Sequence, residues 1–168
     1  MSIYPYYTTK DVTFDPVLIG TWSDPADTND IKETWTFERL ATASYQLEIR
    51  DNTKTNRFAA HLFTLSGSRF LDLLPCDRHE YATPSHLLLH VIRLEPHLEM
   101  QVLNYEWLTK LLEKNPKAMR HVVIPKSDCS TEGEMLTLTA DTAALQKFVG
   151  NHLNDTNAWS AITGLKKQ

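Results

Sequence analysis

The chain has 168 residues, the size of one domain, and a domain of that length buries roughly 70% of the surface its unfolded chain exposes. Its 42% hydrophobic and 23% charged content is that of an ordinary globular protein, which excludes a disordered or fibrous chain. A net charge of −4, from 17 basic against 21 acidic residues, leaves little material for a nucleic-acid-binding face. No apolar run approaches the ~20 residues of a membrane helix, so neither nucleic acid nor membrane is expected as a partner.

Residues 1–16 are aromatic and irregular, broken by Pro5 and Pro16, and read as an arm laid on the surface. They show no basic start followed by an apolar stretch, so a soluble, cytoplasmic protein is expected. From 17 to 103 the chain reads as strands, at 17–23, 33–38, 44–50, 57–65, 70–75, 86–93 and 97–103. Each is rich in β-branched, aromatic or leucine residues, and turn clusters at 24–30, 51–56, 66–68 and 94–96 separate them. With no helix between them, seven strands in series predict a mostly β fold, an antiparallel up-and-down meander closing as a barrel or sandwich.

The pattern then changes. Asn104 can cap a helix over 105–113 that carries Tyr105, Leu108, Leu111 and Leu112 on one face, and Asn115-Pro116 ends it. Short strands are predicted at 119–124 and 135–139, around a polar loop at 125–134. A second helix begins near Asp141 with Leu145, Phe148, Val149 and His152 on one side. Residues 156–168 read as a tail in which Trp159 docks and a basic end follows. Nothing splits the chain, so 1–168 is expected to be one domain.

Alternation decides what the strands enclose, because side chains switch faces at every residue. Tyr45, Leu47 and Ile49 alternate with polar residues and must face inward. Pairing Arg50 with Arg57 sets Ile49 opposite Phe58, Leu47 opposite Ala60 and Tyr45 opposite Leu62. Trp35 and Phe37 belong inside by the same argument, as do Leu98, Met100 and Val102. Phe63 and Leu65 are left outside as an apolar patch, which the two C-terminal helices should cover. The interior has two readings. It is a packed core, or Ala60 beside Leu47 leaves room for a small apolar molecule, with Tyr45 offering a hydroxyl. The lining would then be Trp22, Trp35, Phe37, Tyr45, Leu47, Phe58, Ala60, Leu62 and Met100.

Asp72 and His61 are the candidate polar anchors. A three-residue turn at 66–68 points Asp72 into the barrel beside Leu62, whereas a four-residue turn places it outside, across from His61. Outside, it would be satisfied by a histidine or backbone hydrogen bond beneath a helix. An enzyme using Asp72 with His61 would need both side chains in an open cleft, and no nucleophile accompanies them. His86 and His90 share one side of their strand. If Ile92 pairs with His97, both point outward, the favoured arrangement because it buries leucines rather than imidazoles. If Arg93 pairs with His97, His90 faces Met100 inside, as the axial ligand of a haem-binding barrel must.

Cys76 and Cys129 fit no metal or redox spacing; reduced thiols are expected, with a disulfide between them as the alternative. The aspartates at 24–30 suggest a solvated turn, too loosely spaced for a calcium loop. Without a phosphate loop or nucleophile elbow, the chain reads as a non-enzyme without metal or cofactor. The second functional reading is a protein-interaction module with a filled barrel, its contacts being Tyr4, Tyr6, Tyr7 and Trp159. The sequence sets no oligomeric state.

Leu18-Ile-Gly20-Thr21-Trp22 opens the strand region and Glu33-Thr-Trp35-Thr-Phe37 follows it. This Gly-x-Trp at a first barrel strand resembles the lipocalins and the wider calycin group. The longer pattern is Phe14-Asp-Pro-x-Leu18-x-Gly-Thr-Trp22, Ala60-His-Leu-Phe63, Phe70-Leu-Asp-Leu73 and Asn115-Pro-x-Ala-x-Arg-His121. It resembles a set of uncharacterised bacterial lipocalin-like proteins over most of the chain. The resemblance implies a lipocalin-like barrel with Trp22 capping its closed end and Gly20 letting the chain bend past. It implies no activity.

Overall fold

The computed structural model describes residues 1–26, 33–76, 85–125 and 133–168. His79, Cys129 with its pairing to Cys76, and the aspartate loop beyond Ala26 lie outside these. A short strand, β1 (Val12–Thr13), precedes a single 3-10 turn at Pro16–Leu18. Seven strands follow: β2 (Gly20–Ser23), β3 (Thr34–Ala41), β4 (Ser44–Arg50), β5 (Thr55–Leu65), β6 (Ser68–Pro75), β7 (Leu87–Arg93) and β8 (His97–Val102). The outer elements are α1 (Tyr105–Lys114), the hairpin of β9 (His121–Ile124) and β10 (Met135–Leu138), and α2 (Thr142–Asn151). The last strand is β11 (Thr163–Lys167).

Strands β2 to β8 pair with their neighbours in chain order, all antiparallel, and β11 inserts between β8 and β2. Eight strands therefore close an up-and-down barrel. The expected basic tail is thus in part the closing strand. Thr-Gly-Leu-Lys-Lys offers only Leu165 to the interior, too little pattern to read as a strand. Lys167 uses its charge locally: its Nζ lies 5.2 Å from the Trp22 ring centroid and donates to the Val17 carbonyl at 3.0 Å.

Other expectations need correction. Residues 16–18 are not strand, because the Asp15 carboxylate accepts from the Val17 N–H at 3.1 Å and caps a turn. Gly20 keeps its expected role, since its φ of +127° is a backbone conformation that residues with a side chain rarely adopt. The β4–β5 register places Leu47 opposite Phe58 and Tyr45 opposite Ala60, two residues from expectation. Asp51 causes this shift: its Oδ1 accepts from the N–H groups of Thr53 and Lys54, tightening the turn. The β7–β8 pairing is Val91 with Met100 and Leu89 with Val102, with an irregularity before Arg93. Both shifts are even, so the inward and outward faces survive.

Residues 1–7 are woven in rather than laid on the surface. Ser2 exchanges backbone hydrogen bonds with His86, at 3.0 and 2.7 Å, while the Ile3 N–H donates to the Leu138 carbonyl at 3.0 Å. Ser2 and Tyr6 are buried.

Two apolar cores result. The inner one fills the barrel around Phe37, Leu47, Leu71 and Leu98. The outer one packs Phe63, Phe70 and Leu88 against Leu108, Leu112, Leu145 and Phe148 of the helices, so the two helices cover the outer patch. Asn104 caps α1 as predicted, its Oδ1 accepting from Trp107 N–H at 3.2 Å, and Asp141, near which α2 was expected to begin, caps that helix, its Oδ1 accepting from Ala144 N–H at 2.9 Å. Tyr105 differs. It is half exposed, and its hydroxyl accepts from Leu136 N–H and donates to the Glu134 carbonyl, clamping the start of β10.

Candidate functional site

The inward side chains divide into a sealed layer and an open rim. Phe37, Tyr45, Leu47, Ala60, Leu71 and Leu98 expose no surface, so no space large enough for a water molecule borders any of them. Trp22, Leu62 and Met100 are also buried. Ala60 lies between Tyr45 on one neighbouring strand and Leu73 on the other. Of the two readings of the interior, the packed core therefore holds beside Ala60.

Tyr45 does not offer its hydroxyl to the interior. The hydroxyl accepts from the Asp15 N–H at 2.7 Å and donates to the Asp15 carbonyl at 3.0 Å, and Phe14 stacks on the ring at 4.9 Å. Burial raises the pKa of this phenol, and the bond from the Asp15 backbone opposes the rise. Trp22 donates its indole N–H to the Leu18 carbonyl at 2.9 Å. One end of the barrel is therefore stoppered by residues 14–18.

At the other end, among the described residues, the inward side chains are part-exposed. Trp35 on β3, Ile49 on β4, Phe58 on β5 and Leu87 on β7 pack on the inner core but keep exposed surface. Val102, expected inside, has inward parity opposite Leu89 but stands at the end of β8 and is 50% exposed. Of the nine residues predicted to line a cavity, Trp35 and Phe58 reach this rim and the other seven lie buried. Ile49, Leu87 and Val102 complete it. The sequence signal for them was the inward alternation together with a position near a strand end.

Asp72 is not an anchor in the interior. The turn between β5 and β6 uses Ser66 at φ 52° and Gly67 at φ 80°, the mirror-image geometry that two-residue hairpins favour, and it pairs Leu65 with Ser68. Asp72 therefore falls opposite His61 on the outer face. Its partners are the Tyr6 N–H, donating to Oδ2 at 2.9 Å, and His86 Nδ1, 2.6 Å from Oδ1. It is fully buried under the N-terminal arm rather than under a helix. His61 instead stacks on Tyr7 at 4.6 Å. Burial lowers the His61 pKa, Asp72 opposes the shift and His86 adds to it. Tyr7 is pushed up to about 12, mainly by burial and secondarily by Asp72. Asp72 and His61 thus share no open cleft, which removes the geometry an enzyme would need from that pair.

His90 points outward, stacked on Phe70 at 4.8 Å and 5.0 Å from the Trp159 ring centroid. Among the described residues no histidine reaches the interior, so none is placed as a haem ligand. Tyr6 and Trp159 are buried in the outer core and cannot serve as contacts for another protein. A cleft of about 670 Å³ beside the β5–β6 turn has Arg69 and Arg93 balanced by Asp15 and Glu95, so it favours neither sign of charge. Among the described residues no cluster of metal-ligating side chains occurs, and no helix is long and apolar enough to cross a membrane. Set against family models, curated proteins and solved structures, the chain matches none.

Proposed function

We propose that the protein is a lipocalin-like, non-catalytic binder of a small apolar molecule, seated in the open end of the barrel rather than deep within it. One observation carries this reading. Inward-facing Trp35, Ile49, Phe58, Leu87 and Val102 keep accessible apolar surface at one end, above a layer that admits no water. Covering such apolar surface gains roughly 25 cal/mol per Å². The stoppered opposite end, with Trp22 beneath the 3-10 turn, supports the lipocalin-like assignment.

An uncharged probe tests this. Retinol titrated into the protein should change Trp35 emission saturably, and Trp35→Phe should remove that change. Ile49→Glu should weaken binding at least tenfold while the circular dichroism stays native. Absence of any saturable change in the folded protein refutes the reading.

A further inference from the structure

A second cleft, of about 480 Å³, lies in the outer layer between the turn that joins α1 to β9 and the side of α2. Its walls combine two chemistries. Ala118, Met119, Ala144 and Phe148 form an apolar floor, with Met119 and Phe148 almost fully buried. Lys117, Arg120 and Lys147 stand around it, all exposed. Asp141 is the carboxylate among them, and its Oδ1 is engaged in capping α2. Three cations against one carboxylate leave an excess of two positive charges, on a chain whose net charge is −4.

Several of the other cations have carboxylate partners. Arg50 and Arg57 meet Glu48, Arg93 meets Glu99, and Lys110 meets Glu106. Among the described residues, the side chains of Lys117, Arg120 and Lys147 make no ion pair or hydrogen bond. Like charges gathered around one concavity repel, and an anion relieves that repulsion. The floor adds a second requirement, since a bare inorganic ion would leave the part-exposed Ala118 and Ala144 uncovered. Asn151 and His152 add polar edges, and the His152 ring sits 4.7 Å from Phe148 and 4.9 Å from Trp107.

We propose that this cleft binds a small organic anion with an apolar body, such as an acyl carboxylate, its charge among Lys117, Arg120 and Lys147 and its body over Ala118 and Ala144, above the buried Met119 and Phe148. The volume lies within the ordinary range for small-ligand sites, roughly 300–1,000 Å³.

Calorimetry with octanoate, octan-1-ol and acetate separates the requirements for charge and body. Measured on Ile49→Glu, which disables the proposed rim site, octanoate should bind saturably, and octanol and acetate at least tenfold more weakly. The double variant Arg120→Glu/Lys147→Glu alters only exposed side chains and should weaken octanoate at least tenfold. Ile49→Glu, at the barrel rim, should leave octanoate unchanged, which keeps this site distinct from the proposed rim site. The proposal is overturned by undetectable octanoate binding, by octanol or acetate binding as tightly to Ile49→Glu, by an unchanged affinity in the double variant, or by a loss confined to Ile49→Glu.

Discussion

Asp72 holds two hydrogen bonds with no solvent to share the load, one from the Tyr6 backbone and one with His86. Removing one member of a buried pair leaves the others desolvated and unpaired, at a cost of about 3 kcal/mol. Asp72→Ala should lower unfolding stability by about that amount, and Asp72→Asn, which keeps an acceptor for Tyr6, by less. Equal losses in urea denaturation would place the stabilisation elsewhere. His90 has the opposite problem: its Nδ1 is buried without a partner. Burial lowers its pKa, so on acidification the unfolded chain takes up the proton first. The neutral ring's contribution is therefore intact above about pH 6.5, the ordinary histidine value, and is lost as pH falls through the lowered folded value. His61 shifts the same way. His90→Phe keeps the stack on Phe70, so it should gain up to about 1 kcal/mol at pH 7.5 and lose less stability than the parent on going to pH 5. Parallel pH profiles for the two proteins would contradict this. Ala60→Leu probes the sealed layer directly: added methylenes there should cost about 1–3 kcal/mol, whereas an unchanged unfolding midpoint would reveal a void.

The strands were legible where alternation was strong. Tyr45, Leu47 and Ile49 on β4 fix one face unambiguously, and both register errors, being even, left that face intact. The closing strand was not legible, since β11 holds one inward leucine and two lysines. Its identity comes from long-range pairing to β8 and β2, which no local pattern encodes. The arm was misread for a related reason: Ser2 and Tyr6 are buried by partners about 66 to 136 positions away, at Asp72, His86 and Leu138. The rim was half legible, because facing inward follows from sequence whereas depth within the barrel depends on where each strand ends. Truncation at Ile162 tests the closing strand. Removing β11 unpairs β2 and β8 together and uncovers Trp22 and Leu98, so the near-ultraviolet circular dichroism should collapse. A native spectrum from the truncated chain would mean that the remaining seven strands close without it.

The inner and outer cores share one wall. Along β5, β6 and β7 the inward Leu62, Leu71 and Leu89 alternate with outward Phe63, Phe70 and Leu88, so this part of the sheet is buried on both faces. The helices and the β9–β10 hairpin lie on the outward side, and among the described residues the hairpin forms no sheet with the barrel. The N-terminal arm bridges the layers, bonding to His86 beside β7 and to Leu138 in β10 while Tyr6 covers Asp72. In the intact protein the two layers should therefore open together. Deleting residues 1–7 removes the bridge but leaves the barrel pairings in place. Native-state hydrogen exchange should then show the amides of α1 and α2 exchanging through an opening more than about 1 kcal/mol below that of β4 and β5. Uniform opening energies in the deleted protein would show that the shared wall alone couples the layers. A separation already present in the intact chain would show that the arm couples nothing.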